Sequence, residues 1–193
     1  MRGRPERGRQ PRQREGADPD LAAVHAAQLE PGAFDVLYRR YLDRVYAYAF
    51  YQLGDHHDAE DATERTFMAA LAALPSFSDR GSSFRAWLFR IAHNTVANAR
   101  RSRFRRRAQP LPEGFERPAP DADPAGLVAR ADELREVLGA LSELPDERRQ
   151  VVILRFVDGL SAAEIGLVLE RSPGAVRVLL HRALRELSAR LGA

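Results

Sequence analysis

The sequence predicts an all-α protein of two small helical domains joined by a proline-rich linker. Three observations predict it. Between about residues 21 and 107, and again between about 126 and 193, apolar residues recur at spacings of three and four, the period of a helix face. No alternating apolar run is long enough for a convincing strand. Residues 108–125 hold Pro110, Pro112, Pro118, Pro120 and Pro124 among several acids, which describes an extended connection rather than a packed element. Each domain is small enough to depend on tight helix packing.

The first helical face is set by Phe34, Leu37, Tyr38, Tyr41, Leu42 and Val45. A second helix follows Asp55-His56-His57-Asp58 and turns Phe67, Ala70, Leu71 and Leu74 inward. Pro75 ends it, because proline disfavours helix in the residue before it. The loop Ser76 to Ser83 leads into a third helix that starts near Phe84. It runs through Trp87, Leu88, Ile91 and Val96 into the basic stretch Arg100 to Arg107. Beyond the linker, Leu134, Val137, Leu138, Leu141 and Leu144 mark another helix, punctuated by Pro145. Val151, Val152, Leu154 and Phe156 mark the next, which stops at Gly159, a left-handed cap.

Composition bounds what this fold can do. Of the 193 residues, 45% are hydrophobic and 30% charged, a globular balance. No apolar run approaches the roughly 18–20 residues of a membrane span, so no membrane insertion is expected. The charged N-terminus has no apolar stretch of the kind a signal peptide needs, which makes the cytoplasm the expected compartment. The absence of cysteine excludes disulfides, cysteine metal sites and thiol catalysis. Every one of the 30 basic side chains is arginine. A GC-rich coding bias accounts for arginine in place of lysine, but not for the clusters. Residues 1–20, with Arg2, Arg4, Arg7, Arg9, Arg12 and Arg14, read as a disordered basic tail. Adjacent histidines at a helix start point in different directions. His56 and His57 are therefore not read as metal ligands, and no cofactor is expected.

Gly159 to Arg190 is the most informative stretch. Ser161-Ala162-Ala163-Glu164 is a capping box, with serine capping the helix and glutamate reaching back. Ile165, Val168 and Leu169 face inward from a helix of about two turns. Glu170-Arg171 make a short turn, and Ser172-Pro173 restart a helix as N-cap and first helical residue. In that helix Val176, Leu180, Leu184, Leu187 and Leu191 form the apolar stripe, while Arg177, His181, Arg182 and Arg185 project elsewhere. A short capped helix, a tight turn and a second helix with basic exposed positions make a helix-turn-helix. Its second helix is suited to the major groove, where an arginine pairs with guanine for roughly 1–3 kcal/mol of discrimination. The plain alternative is a helical hairpin with a solvated charged face.

These residues resemble a known family. Leu144-Pro145, Arg149 to Phe156, Gly159-Leu160-Ser161, Glu164-Ile165 and Ser172 to Arg177 are similar to the promoter-binding C-terminal domain of the sigma-70 family, in its extracytoplasmic-function (ECF) group. Asp58-Ala59-Glu60-Asp61-Ala62-Thr63-Glu64-Arg65-Thr66-Phe67 resembles its polymerase-binding helix. Phe84 to Asn94 resembles the segment that melts and reads the −10 element. The resemblance implies a sigma region 2 domain over 21–107, the linker over 108–125, and a sigma region 4 domain over 126–193. It implies a non-enzymatic subunit that binds RNA polymerase core, through the coiled coil of the largest subunit and the flap, and that engages duplex and single-stranded promoter DNA. Anti-sigma partners are common in the family, and the resemblance leaves one open for this chain.

The implied residues follow position by position. Asp58, Asp61, Glu64 and Arg65 would contact core, although Arg65 stands where relatives often carry glutamine or glutamate. Phe77, Ser78, Arg80, Phe84, Trp87, Arg90, Asn94, Asn98 and Arg101 would meet the −10 element, with Phe77 to Ser83 forming part of a pocket for a flipped base. Ser172, Gly174, Ala175, Arg177, Val178, His181 and Arg182 would meet the −35 element. Val178 and Leu179 are apolar where many relatives are polar or basic, so they touch thymine methyls or pack inward. Glu170 replaces a common turn glycine. For Asp58, Asp61 and Arg65 the alternative is a solvated acidic face, and for Trp87 it is a core aromatic. Two other readings stay open: a free-standing helix-turn-helix regulator and, less well supported, a metal phosphohydrolase.

Overall fold

The computed structural model describes residues 18–79, 82–108 and 139–191, with side chains described as far as Arg105 in the helix that ends at Ala108. Most of the expected basic tail and of the proline-rich connection lies outside the described residues, as does Arg80, but residues 18–20, expected in the tail, form a turn that leads into the first helix, with Asp20 buried. Among the described residues every regular element is helical.

The first domain contains α1 (Leu21–Leu29), α2 (Asp35–Leu53), α3 (His56–Ala73) and α4 (Phe84–Ala108). Single 3-10 turns, Pro31–Phe34 and Leu74–Ser76, precede α2 and follow α3. Local chemistry sets these limits. Gly54 ends α2 in the left-handed conformation at φ 67°. Asp55 then caps α3 by accepting from the Asp58 N–H at 3.0 Å. Leu37, Val45, Tyr48, Ala59, Ala70, Leu88 and Phe89 fill the core between α2, α3 and α4. Leu71, expected in this core, is 38% exposed, and Met68 beside it is 64% exposed. They face away from α4, on the side where α2 and α3 leave an open groove.

The second domain contains α5, described over 139–143, then α6 (Asp146–Phe156), α7 (Ala162–Leu169) and α8 (Pro173–Leu191). Its core is Val151, Ile153, Leu154, Leu160, Ile165, Val168 and Val176, all nearly inaccessible. Gly159 adopts φ 66°, the left-handed geometry its position predicted. The apolar stripe of α8 departs from expectation. Val176 and Ala183 are buried, whereas Leu184 is 40% exposed. Leu184 instead lines an open apolar groove with Leu141, Val152, Phe156 and Leu191, because no described element covers this part of the helix.

The two domains pack on each other. α7 lies along α4, and α6 meets the C-terminal half of α2.

Candidate nucleic-acid interface

In the helix-turn-helix, backbone donors are satisfied locally. The Glu164 N–H donates to Ser161 Oγ at 3.2 Å, and the Ser161 N–H donates to Glu164 Oε2 at 2.9 Å, completing the capping box. The turn is tight. Glu170 takes the left-handed conformation at φ 55°, and the Arg171 N–H donates to the Gly166 carbonyl at 2.9 Å. A Cβ on Gly166 would lie 2.6 Å from the Arg171 oxygen, so glycine permits this approach. Ser172 Oγ then accepts from the Ala175 N–H at 3.2 Å and starts α8.

Arg177, Val178, His181 and Arg182 are exposed and step by three and four, which makes one continuous face. Ser172 and Gly174 are exposed at its N-terminal end, and Ala175 is half-buried. Val178 is 51% exposed, while Leu179 packs against the core. Of the two positions left open by the sequence, Val178 is the one turned outward.

On α4 the expected −10 residues separate into two groups. Phe84 is fully buried and Phe77 is 9% exposed, so neither ring is presented to a base. This corrects their reading as direct contacts. Both rings pack with Trp87, at centroid distances of 5.0 Å for Phe77–Trp87 and 5.5 Å for Phe84–Trp87. Trp87 is half-buried at the edge of this cluster, and Ser78, Arg90, Asn94, Asn98 and Arg101 are exposed. Asn98 Oδ1 accepts from Arg101 Nη2 at 2.5 Å, which aligns these two side chains.

The α4 face that carries the expected −10 residues is partly covered by the second domain. Arg85 donates to both carboxylate oxygens of Glu164, at 2.8 and 2.7 Å, and Ser83 Oγ donates to Glu164 Oε1 at 2.9 Å. Arg90 pairs with Glu170, and Arg100 with Asp146 at 2.7 Å. Burial opposes ionisation of Glu164, but the bonds from Arg85, Ser161 and Ser83 outweigh it and hold its carboxyl below the usual range. A cleft of about 690 Å³ remains between α4 and the second domain, with His93, Arg101, Phe104, Glu147 and Arg171 on its walls. Sequence reasoning missed this interface. Its acids read as ordinary helix-start and turn residues.

The expected core-binding residues lie along α3. Asp61, Glu64 and Arg65 are exposed, with Asp61 and Arg65 paired at 3.2 Å. Asp58 is half-buried and 3.4 Å from Arg103 of α4, so it ties two helices of its own domain. Next to this row is a groove of about 640 Å³ floored by Tyr38, Leu42, Tyr46, Phe67 and Met68 and rimmed by Asp43, Glu60 and Glu64. The exposed Met68 is the signal that could have located it, since a methionine out of the apolar register marks an adaptable contact surface. The histidines at the start of α3 do not converge. His56 stacks on Phe50 at 4.5 Å, and His57 points outward, 3.9 Å from Glu60.

Comparison with known proteins agrees with both halves. Residues 37–106 match the family Sigma-70 region 2, and residues 134–187 match Sigma-70, region 4. The chain is similar to the ECF RNA polymerase sigma factor BldN of Streptomyces coelicolor, at 36% identity over 91% of this chain and 68% of BldN. It is similar to SigD of Mycobacterium tuberculosis, at 40% identity over 67% of this chain and 61% of SigD. Among solved structures, CnrH in complex with the cytosolic domain of CnrY superposes with a TM-score of 0.69 at 30% identity, covering 90% of this chain and 97% of CnrH. The sigma factor RpoE in complex with the anti-sigma factor NepR from Bartonella quintana superposes with a TM-score of 0.65 at 25% identity, covering 83% of this chain and 97% of RpoE. With both sigma regions present in order on one all-helical chain, the protein belongs to the ECF sigma factors of the sigma-70 family.

Proposed function

We propose that this chain acts as a dissociable initiation subunit, with region 2 serving core binding and the −10 element and region 4 serving the −35 element. The observation that carries the reading is the free face of α8, where Arg177, Val178, His181 and Arg182 stand exposed behind a capped helix start. Arginine there has the geometry to read guanine, and Val178 can meet a thymine methyl. Asp61, Glu64 and Arg65, beside the groove between α2 and α3, are the groups offered to core polymerase.

On α4, Trp87 is the one aromatic of the cluster left partly accessible, with Arg90, Asn94, Asn98 and Arg101 along the same helix. A stacked base contributes roughly 1–3 kcal/mol, against about 1.4 kcal/mol per base-pair step opened. A few captured bases can therefore offset local melting without a nucleotide-driven motor. No catalytic step is assigned to the chain. Its place is the cytoplasm, with core polymerase and DNA, and among the described residues no helix is long and apolar enough to cross a membrane. The complex of RpoE with NepR makes an anti-sigma factor a reasonable class of partner here too.

The test is DNA retention by the protein alone, by core alone and by the two together, on DNA from upstream of its own gene. A sigma factor binds weakly alone and tightly with core. Tight, two-fold symmetric binding without core would establish the free-standing regulator instead.

A further inference from the structure

We propose that Gln28 and Asp18, which precede the matched region 2 segment, are positioning residues for base selection at the −10 element. The inference rests on the sigma reading above and deepens it.

The connection between α3 and α4 joins two helix ends, each with backbone groups that its own helix cannot satisfy. On the α3 side, Gln28 Nε2 donates to the Leu74 carbonyl at 3.0 Å and to the Phe77 carbonyl at 2.9 Å. On the α4 side, Asp18 Oδ2 accepts from the Phe84 N–H at 2.5 Å. The N-terminal segment thus grips the connection at both ends. Its own anchorage is firm. Val24 and Ala27 are buried, and the buried Asp20 is held by Arg40 and Tyr41 of α2. Asp18 also accepts from the Asp20 N–H at 3.0 Å, so one carboxylate serves the starts of both α1 and α4.

These bonds reach the −10 face through packing. Phe77, whose carbonyl Gln28 holds, packs 5.8 Å from Phe84, and both rings touch Trp87. Tyr41, bonded to Asp20, closes the cluster at 5.8 Å from Phe84. A shift of the Phe77 carbonyl therefore moves the side chain offered to bases. A reading site must be held to within about 0.5 Å to discriminate, which a connection on its own does not provide. Gln28 matters as a neutral double donor. Glutamate has the same length, but when ionised it has no proton to give and sets a charge against two carbonyl oxygens. Lysine has three donors and enough reach to replace both bonds.

The experiment uses holoenzyme on a promoter library randomised through the −10 element, with transcripts sequenced to give a base preference at each position. Core affinity and thermal stability are measured on the same proteins. With Gln28→Glu, the preference at one or two adjacent positions falls by about tenfold, the scale of two lost hydrogen bonds. Gln28→Ala loses less and Gln28→Lys retains most of it, while core affinity stays unchanged. Unaltered preference in Gln28→Glu would overturn the proposal, as would a loss of transcription spread evenly over all sequences. If wild-type holoenzyme selects no −10 sequence at all, it is the sigma reading that fails.

Discussion

Arg177 and Asp61 sit on exposed helix faces of different domains, and neither side chain enters the core. Each can be removed with little effect on folding, which makes the division of labour testable one residue at a time. Arg177→Ala is expected to weaken −35-dependent transcription by roughly 10- to 100-fold, the worth of a lost arginine–guanine pair, and to leave core binding intact. Asp61→Ala is expected to weaken core binding by about tenfold and leave region 4 binding to a −35 duplex unchanged. Competition binding to core and abortive transcription on promoters with and without a −35 element would separate the two effects. Equal damage to both functions by both variants would point to misfolding or a wrong division of labour. These residues were legible in the sequence because helical periodicity alone turns them outward. Phe84 was not, since an aromatic at a helix start has the same spacing whether it stacks on a base or on Tyr41. Gln28 was invisible for another reason: the carbonyls it holds are 46 and 49 residues away.

At the scale of elements, the punctuation was the most readable part of the sequence, because caps and turns are decided by neighbours in the chain. Pro75 falls within the turn that ends α3, Gly159 takes its left-handed geometry, and Ser161 with Glu164 closes the capping box. Ser161→Ala should lower stability by about 0.5–2 kcal/mol. Thermal unfolding of the full chain would show it, and an unchanged transition would mean that the Glu164 contacts with Arg85 and Ser83 alone keep α7 in place. Elements defined by tertiary covering were less readable. α1 is short and alanine-rich and buries only Val24 and Ala27, so its periodicity is faint. Leu184 follows the apolar period of α8 yet lines an open groove, because periodicity reports which face a residue lies on and not what covers it.

For the whole molecule, the proposed reading requires the two domains to part, because Glu164, Glu170 and Asp146 pair with Arg85, Arg90 and Arg100 on the α4 face proposed for the −10 element. Under that reading the packed arrangement is not the promoter-bound one. Its interface carries groups that favour opening. Both carboxylate oxygens of Asp158 are buried without a hydrogen-bond partner, as are the side-chain polar atoms of Gln52. Burial, partly offset by Arg44 of α2 and Arg85 of α4, pushes the Asp158 carboxyl from 3.8 up to about 8, and the Tyr48 hydroxyl is raised by its own burial first and by Asp158 second. If opening returns Asp158 to solvent, closure takes up a proton between those two values, and the closed form loses stability as pH rises through that window. His93 acts in the opposite sense, since burial holds it below its ordinary 6.5, but that effect is confined to acid pH. The radius of gyration in solution should therefore increase as pH rises from about 6.5 toward 8, above the range where His93 opposes it, and level off beyond about 8, and Asp158→Asn should flatten the change. None of this was legible beforehand, because Asp158 and Glu170 look like surface acids until the other domain is placed on them. The most direct test of the account is run-off transcription with purified bacterial core polymerase, with and without this protein, on DNA from upstream of its gene and neighbouring genes. A protein-dependent transcript with a defined start is expected. No transcript on any template, together with no binding to core in the same samples, would contradict it.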